Sequence, residues 1–413
     1  MDGDSTSSSS TPVYLDYNAT TPLAPEVVTA IKNSLHLWGN PSSGYRTGRV
    51  AREAVDDARD KVARMIGAES DEITFTSGGT ETNHLAILSA VAQYRSVVTS
   101  DQASLPHVVT SNVEHPAITA PLSQLETMGL ITVTRVPVIP GTGRWSVPSV
   151  VDSVREDTCL VTMMLANNET GFIQPVRELF TQLRSHPPST RCPLILHSDA
   201  AQVIGKMRVC VSELGADMIT IVGHKFYGPR IGALYHRRGV SVTPMFHGGG
   251  QERGLRPGTE NTPMIIGLGA ASQLVTDNID QFSSHMRRIR DYLRDQLIKH
   301  FTLVISDEAG ALSAGEVCWR YLDQFTLPNT LSVRVGGVTG HELLMECSGA
   351  VEASTGAACH TGGGVSEVLV NSFTWGETGA RETVRLSVGR DTTEEDIDIV
   401  VRAFKQAVIK KQK

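Results

Sequence analysis

Hydrophobic positions along the chain follow two different periods. In "LAPEVVTAIKNSLHLW" the apolar residues fall at 27, 28, 31, 35 and 38, behind Pro25, a spacing that predicts a helix. The next stretch puts Ala51, Val55, Ala58, Val62 and Ile66 on one helical face and predicts a stop at Gly67. "DEITFTSGGTETNHLAILSAV" reads as strand, glycine turn and helix. Five later runs, "HVVTS", "ITVTRVPV", "CLVTMMLA", "PLILHSD" and "MITIVG", are apolar almost throughout instead of alternating. Strands of that kind, interleaved with helical patterns, predict an α/β fold whose mostly parallel sheet is covered on both faces.

After about residue 263 the texture changes. A long helical segment through "NIDQFSSHMRRIRDYLRDQLIKHF" could join two domains, and "TLSVRV", "AVEAS" and "TVRLSV" beyond it read as short strands separated by helices. The expected organisation is a polar, disordered tail over 1–12, a segment 13–24 packing with the smaller domain, a large domain over 25–275 and a smaller α+β domain over 276–413.

Composition narrows the class. The 413 residues are 40% hydrophobic, enough for more than one core. A net charge of −7 argues against nucleic acid as a partner. The six cysteines, at 159, 192, 210, 318, 347 and 359, form no CxxC pair, so neither a disulfide framework nor a metal site is expected. No apolar run approaches the ~20 residues of a membrane span, and the opening "MDGDSTSSSST" has no signal-peptide character. The expectation is a soluble, cytosolic protein.

Chemistry is expected where strands of a parallel sheet end. Ser77-Gly78-Gly79-Thr80 joins a strand to a helix, where free N–H groups and the helix dipole suit an anion. "SNVEHPA" places His115 after a strand, "LANNETG" places Asn168, and "HSDAAQ" places Asp199 and Gln202. Each alone has an ordinary explanation as a turn or a helix cap. "TIVGHKFYGPRIGALY" then sets His224 and Lys225 at the end of an enclosed strand, an unusual place for an amine. A phosphate cradle, an aromatic ring, a carboxylate and a lysine are together the parts needed to hold pyridoxal 5'-phosphate.

"YLDYNATTP", "TSGGTETN", "VEHPA", "NNETG", "DAAQ", "GHKFYGPRIGALY", "GGGQERGLRPGTEN" and "VRLSVGR" resemble the cysteine desulfurase and selenocysteine lyase family of fold type I pyridoxal phosphate enzymes, from about Val13 to the end. Within it, "GTENTPMI" and "STGAACH" stand closer to the selenium-directed members than to the housekeeping desulfurases. The resemblance implies Lys225 as the Schiff-base lysine, His115 stacked on the ring and Asp199 on its nitrogen. It also implies Asn168 and Gln202 near the ring hydroxyl, and Gly79, Thr80 and His224 on the phosphate. Thr259 would reach the phosphate of a neighbouring subunit, which implies a homodimer. Arg385 would clamp the substrate carboxylate, and Asn18 would lie at the mouth of the site.

Of the six cysteines, Cys359, in the glycine-rich "STGAACHTGGG", matches the family's catalytic one. The implied reaction removes selenium from L-selenocysteine, giving L-alanine and reduced or elemental selenium, with Cys359 taking the selenium or donating a proton to it and room for a selenium-acceptor protein. The alternatives are a cysteine desulfurase forming an enzyme-bound persulfide and, further off, a non-catalytic scaffold that binds the same cofactor; an aminotransferase would need no cysteine. One position departs from the family pattern: Val222 stands where many relatives carry a serine that hydrogen-bonds the phosphate.

Overall fold

Among the described residues, seven strands form the central sheet, in the spatial order Ile73–Thr76, Gly232–His236, Met218–Val222, Ile195–Asp199, Thr158–Thr162, His107–Ser111 and Thr132–Val136. Gly232–His236 runs antiparallel to both of its neighbours; the other pairings are parallel. The structure, a computed structural model, describes residues 11–98, 104–304, 312–319, 323–355 and 365–411. The expected tail therefore lies outside the described residues up to position 10, and so does Cys359.

The continuous apolar strands have the expected cause. Val161, Leu196 and Ile219 point into one core with Val55, Ala58, Val62 and Ile66 of the helix Arg46–Ile66. Their neighbours Leu160, Ile195 and Met218 face the opposite way, onto Leu85, Ala86 and Ala90 of the helix Gly79–Val97. Both faces are buried, so neither carries polar residues in alternation. The first of these helices ends at Gly67, whose φ of 69° is a left-handed cap that a side chain would disfavour.

A single 39-residue helix, Thr262–His300, serves two cores. Ile265, Leu268, Ala271, Val275 and Ile279 pack against the large sheet, whereas Met286, Ile289, Leu293 and Leu297 pack beneath a four-stranded sheet. That sheet has the order Thr302–Leu303, Glu316–Cys318, Thr330–Val335 and Thr383–Ser387. Each fully buried Leu or Ile stabilises by about 1.5–3 kcal/mol relative to exposure, so the helix ties the two sheets together through side chains on both halves.

The chain before residue 25 crosses to the second sheet. Val13–Tyr14 pairs in parallel with Val351–Glu352, and Asp16 bridges to Ser387. The next residues turn back over the ends of the large sheet, and this fold-back brings Asn18 to the site. Among the described residues no helix is long and apolar enough to cross a membrane, and no cluster of His, Cys, Asp or Glu could hold a metal ion.

Candidate active site

The parallel strands all deliver their carboxyl ends to one edge of the sheet, and Asp199 and Lys225 stand there at the ends of their strands. Lys225 closes a short turn, Gly223–Lys225, directly after the strand Met218–Val222. Its Nζ donates to the carbonyl oxygens of Asn18 and Ala19, both at 2.8 Å. Lys225, Asn18, His115, Asn168 and Arg385 line a single cavity of about 480 Å³. Glu114 and Ser366 line it as well.

His115 caps the helix Pro116–Thr127, its Nδ1 accepting from the backbone N–H of Ala117 at 3.0 Å. Burial lowers its pKa and Lys225 adds to the effect, against the pull of Asp199, so the ring is neutral with its proton on Nε2. Glu114, next to it, is enclosed: it accepts from the Ser111 hydroxyl at 2.6 Å and from Met164 N–H at 3.0 Å. Burial pushes this carboxyl up to about 8.

Asp199 ends the strand Ile195–Asp199 and is 8% exposed. Its Oδ1 accepts from Ala201 N–H at 3.0 Å and its Oδ2 from Asn83 Nδ2 at 2.8 Å. Gln202 does not line the cavity wall. Its amide donates to the Asn18 carbonyl at 3.0 Å and its Oε1 accepts from Lys206 at 2.6 Å.

Asn18 proves to be a buried hub, 1% exposed, rather than a residue at the mouth. Its Oδ1 accepts from Lys206 and from Asn329, both at 3.0 Å, and its Nδ2 donates to Thr330 at 2.9 Å. A short amide can meet donors and acceptors from both sheets at once, and that use draws it inside. Lys206, which sequence reasoning passed over, is fully enclosed, and burial holds its pKa well below the usual lysine range, with Lys225 and Arg385 reinforcing the shift.

Arg385 sits on the strand Thr383–Ser387, opposite the large sheet. It donates to the Asn168 carbonyl at 2.8 Å and to the Asp16 carboxylate at 2.5 Å. Ser354 bridges to Arg385, and Ser366 bonds Glu169 beside the cavity. The described chain on either side of residues 356–364 thus borders the site.

Gly79 opens the 19-residue helix Gly79–Val97. A Cβ there would meet Val222 Cγ2 at 2.7 Å, so glycine lets the helix start close to the strand that carries Lys225. Thr80 is exposed on the first turn. His224 bonds the Thr20 hydroxyl at 3.1 Å, and burial pushes its pKa down to about 4. Thr259 is exposed on a loop beside a second hollow of about 270 Å³, whose walls include Ser77, Arg230 and Arg256. Arg256 pairs with Glu81 at 2.9 Å, and Glu252 pairs with buried Arg59, so the loop is fastened to both flanking helices.

These parts fit pyridoxal phosphate. A helix N-terminus opened by glycine suits its phosphate, an amine at a strand end suits its aldehyde, and a buried carboxylate with two internal donors suits a cationic ring nitrogen.

The family described as aminotransferase class-V matches residues 13–400. Among curated proteins, the selenocysteine lyase of Xenopus tropicalis is 47% identical over 96% of this chain and 93% of its own, and that of Homo sapiens 44% over 96% and 92%. The cysteine desulfurase IscS of Dictyoglomus turgidum is 36% identical over 96% of this chain and 95% of its own. Among solved structures, a NifS-like protein superposes with a TM-score of 0.82 at 30% identity, covering 96% of this chain and 98% of that one. The α/β architecture with its mostly parallel sheet is the one these relatives share, and the chain belongs to the class-V aminotransferase family.

Proposed function

We propose that this protein is a pyridoxal phosphate-dependent lyase that removes selenium from L-selenocysteine and releases L-alanine. The observation that carries the reading is the meeting of Lys225, His115 and Arg385 on one cavity, in a chain 44–47% identical to proteins named selenocysteine lyase. A cytosolic setting goes with this reading.

When bound, pyridoxal phosphate supplies an aldehyde for amines and a ring that accepts electron density from the substrate. Lys225 would hold the aldehyde, and its Nζ would serve as the base for the substrate α-proton. Asp199 would accept from the ring nitrogen and favour its cationic form. His115 would stack on the ring and Asn168 would lie on its hydroxyl side, with Gln202 bonded to Asn18 and Lys206 instead of facing the cavity. Gly79, Thr80 and His224 would hold the phosphate, joined by Thr259 of a second copy. Exposed Leu35, Trp38 and Tyr45 give that copy an apolar surface to cover. Arg385 would grip the substrate carboxylate at the cavity wall. Cys359 would take the selenium at the zero oxidation level as a Cys–Se adduct, the electron pair of the broken C–Se bond staying with the three-carbon fragment released as alanine, and a separate acceptor protein can carry the selenium onward.

Alanine formation from L-selenocysteine and from L-cysteine, under reducing conditions, tests the proposal with the wild type and Cys359→Ala. Strong preference for selenocysteine, sharply reduced in the variant, is expected. Equal turnover of cysteine would make the protein a desulfurase instead.

A further inference from the structure

Behind Asp199 runs an unbroken series of buried side-chain hydrogen bonds. Asn83 Nδ2 donates to Asp199 Oδ2 at 2.8 Å, and the Thr220 hydroxyl donates to Asn83 Oδ1 at 2.6 Å. Thr220 Oγ1 meets His197 Nε2 at 3.0 Å, and His197 Nδ1 meets Thr162 Oγ1 at 2.8 Å. Asn83 is 1% exposed, and Thr220, His197 and Thr162 are 0% exposed. Thr162, His197 and Thr220 come from three adjacent strands, Thr158–Thr162, Ile195–Asp199 and Met218–Val222, and Asn83 from the helix that covers them.

The direction of every bond follows from what each group can do. An ionised carboxylate only accepts, so the NH2 end of Asn83 faces Asp199 and its Oδ1 faces Thr220. Thr220 spends its one hydrogen on that oxygen, so toward His197 it can only accept, and His197 carries its proton on Nε2. The unprotonated Nδ1 then accepts from Thr162. A neutral imidazole satisfies the whole series, and burial keeps His197 neutral, with a pKa pushed down to about 4.

We propose that Asn83 is a positioning residue for the cofactor's ring nitrogen, locked by Thr220 and His197 so that Asp199 is held in one orientation with a fixed donor on Oδ2. If the amide turned over, its oxygen would face the carboxylate; the Thr220 hydroxyl holds it against that rotation. Each hydrogen bond in the series polarises the next, strengthening the donor that Asp199 receives. The inference rests on the pyridoxal phosphate reading above.

The test is the 15N resonance of ring-labelled pyridoxal phosphate bound to wild type, Asn83→Leu, Thr220→Val and Thr220→Ser, with thermal unfolding recorded beside it. The wild type should show a protonated ring nitrogen. Asn83→Leu should move the resonance toward the unprotonated position and weaken cofactor binding to apoenzyme roughly tenfold to a hundredfold. Thr220→Val should move it the same way by less, and Thr220→Ser, which restores the hydroxyl, should return it to the wild-type position. If Asn83→Leu does not fold, the Thr220 pair decides. A protonated nitrogen that is unchanged in every folded variant among Asn83→Leu and Thr220→Val overturns this inference alone. A wild type that binds no pyridoxal phosphate overturns the functional reading and the inference with it.

Discussion

Arg385 and Asp16 form an ion pair at 2.5 Å between the strand Thr383–Ser387 and the N-terminal segment, with the arginine side chain 3% exposed. The pair fixes the guanidinium at the cavity wall, where a second N–H is held by Asn168. Arg385→Lys keeps the charge and loses the planar fork. A lost hydrogen bond to a charged group is worth about 1.5–3 kcal/mol, so kcat/KM should fall roughly tenfold to a hundredfold, mostly through a higher KM. Steady-state kinetics on selenocysteine checks this; an unchanged KM would remove Arg385 from substrate binding.

Glu114 links stability to pH. Burial raises its carboxyl in the folded protein from 4.5 to about 8, so the unfolded chain releases this proton first. The stabilising contribution is fully present below the unfolded value and is lost as pH rises through about 8. Glu114→Gln mimics the protonated acid and lacks that dependence. The gap in unfolding midpoint between wild type and variant should therefore shift in the variant's favour as pH rises over this range. A gap constant with pH would show that Glu114 does not carry the effect.

The loop bearing Thr259 depends on a buried pair. Glu252 meets Arg59 at 2.6 and 2.7 Å and Phe75 N–H at 2.8 Å, while holding a left-handed φ of 48°. Arg59→Met alone leaves an unpaired buried carboxylate and should cost about 3–5 kcal/mol in chemical denaturation. Replacing both partners by apolar residues should cost less than that single change, and a double variant at least as unstable as Arg59→Met would contradict this.

Val222 packs against the first turn of the helix Gly79–Val97, at the position where the family resemblance implies a serine. Val222→Ser adds a donor near the proposed phosphate site. Titration of apoenzyme should show tighter cofactor binding, by roughly tenfold or more; equal affinity would mean that the backbone N–H groups already satisfy the phosphate.

Local pattern made much of this molecule legible. "HVVTS" and "TLSVRV" coincide with the strands His107–Ser111 and Thr330–Val335, and the face from Ala51 to Ile66 is buried as its period predicts. The strand Gly232–His236 went unread: it is short, follows a Gly-Pro turn, and is defined by the two strands it separates. In the site, Lys225 and Asp199 were visible because a strand end makes an amine or a carboxylate unusual. Lys206 and Asn18 were not understood, because lysine is ordinarily exposed and the enclosure comes from a segment 188 residues away in sequence. Asn83 looked like any polar helix position until three strands were laid beneath it.

The most direct test concerns two amines, half-buried Lys225 and fully enclosed Lys206. Holoenzyme reduced with borohydride fixes the cofactor to the lysine that holds it, and peptide mass mapping identifies that residue. The account predicts the added mass on Lys225 and none on Lys206. Mass on Lys206, or on neither lysine, would contradict it.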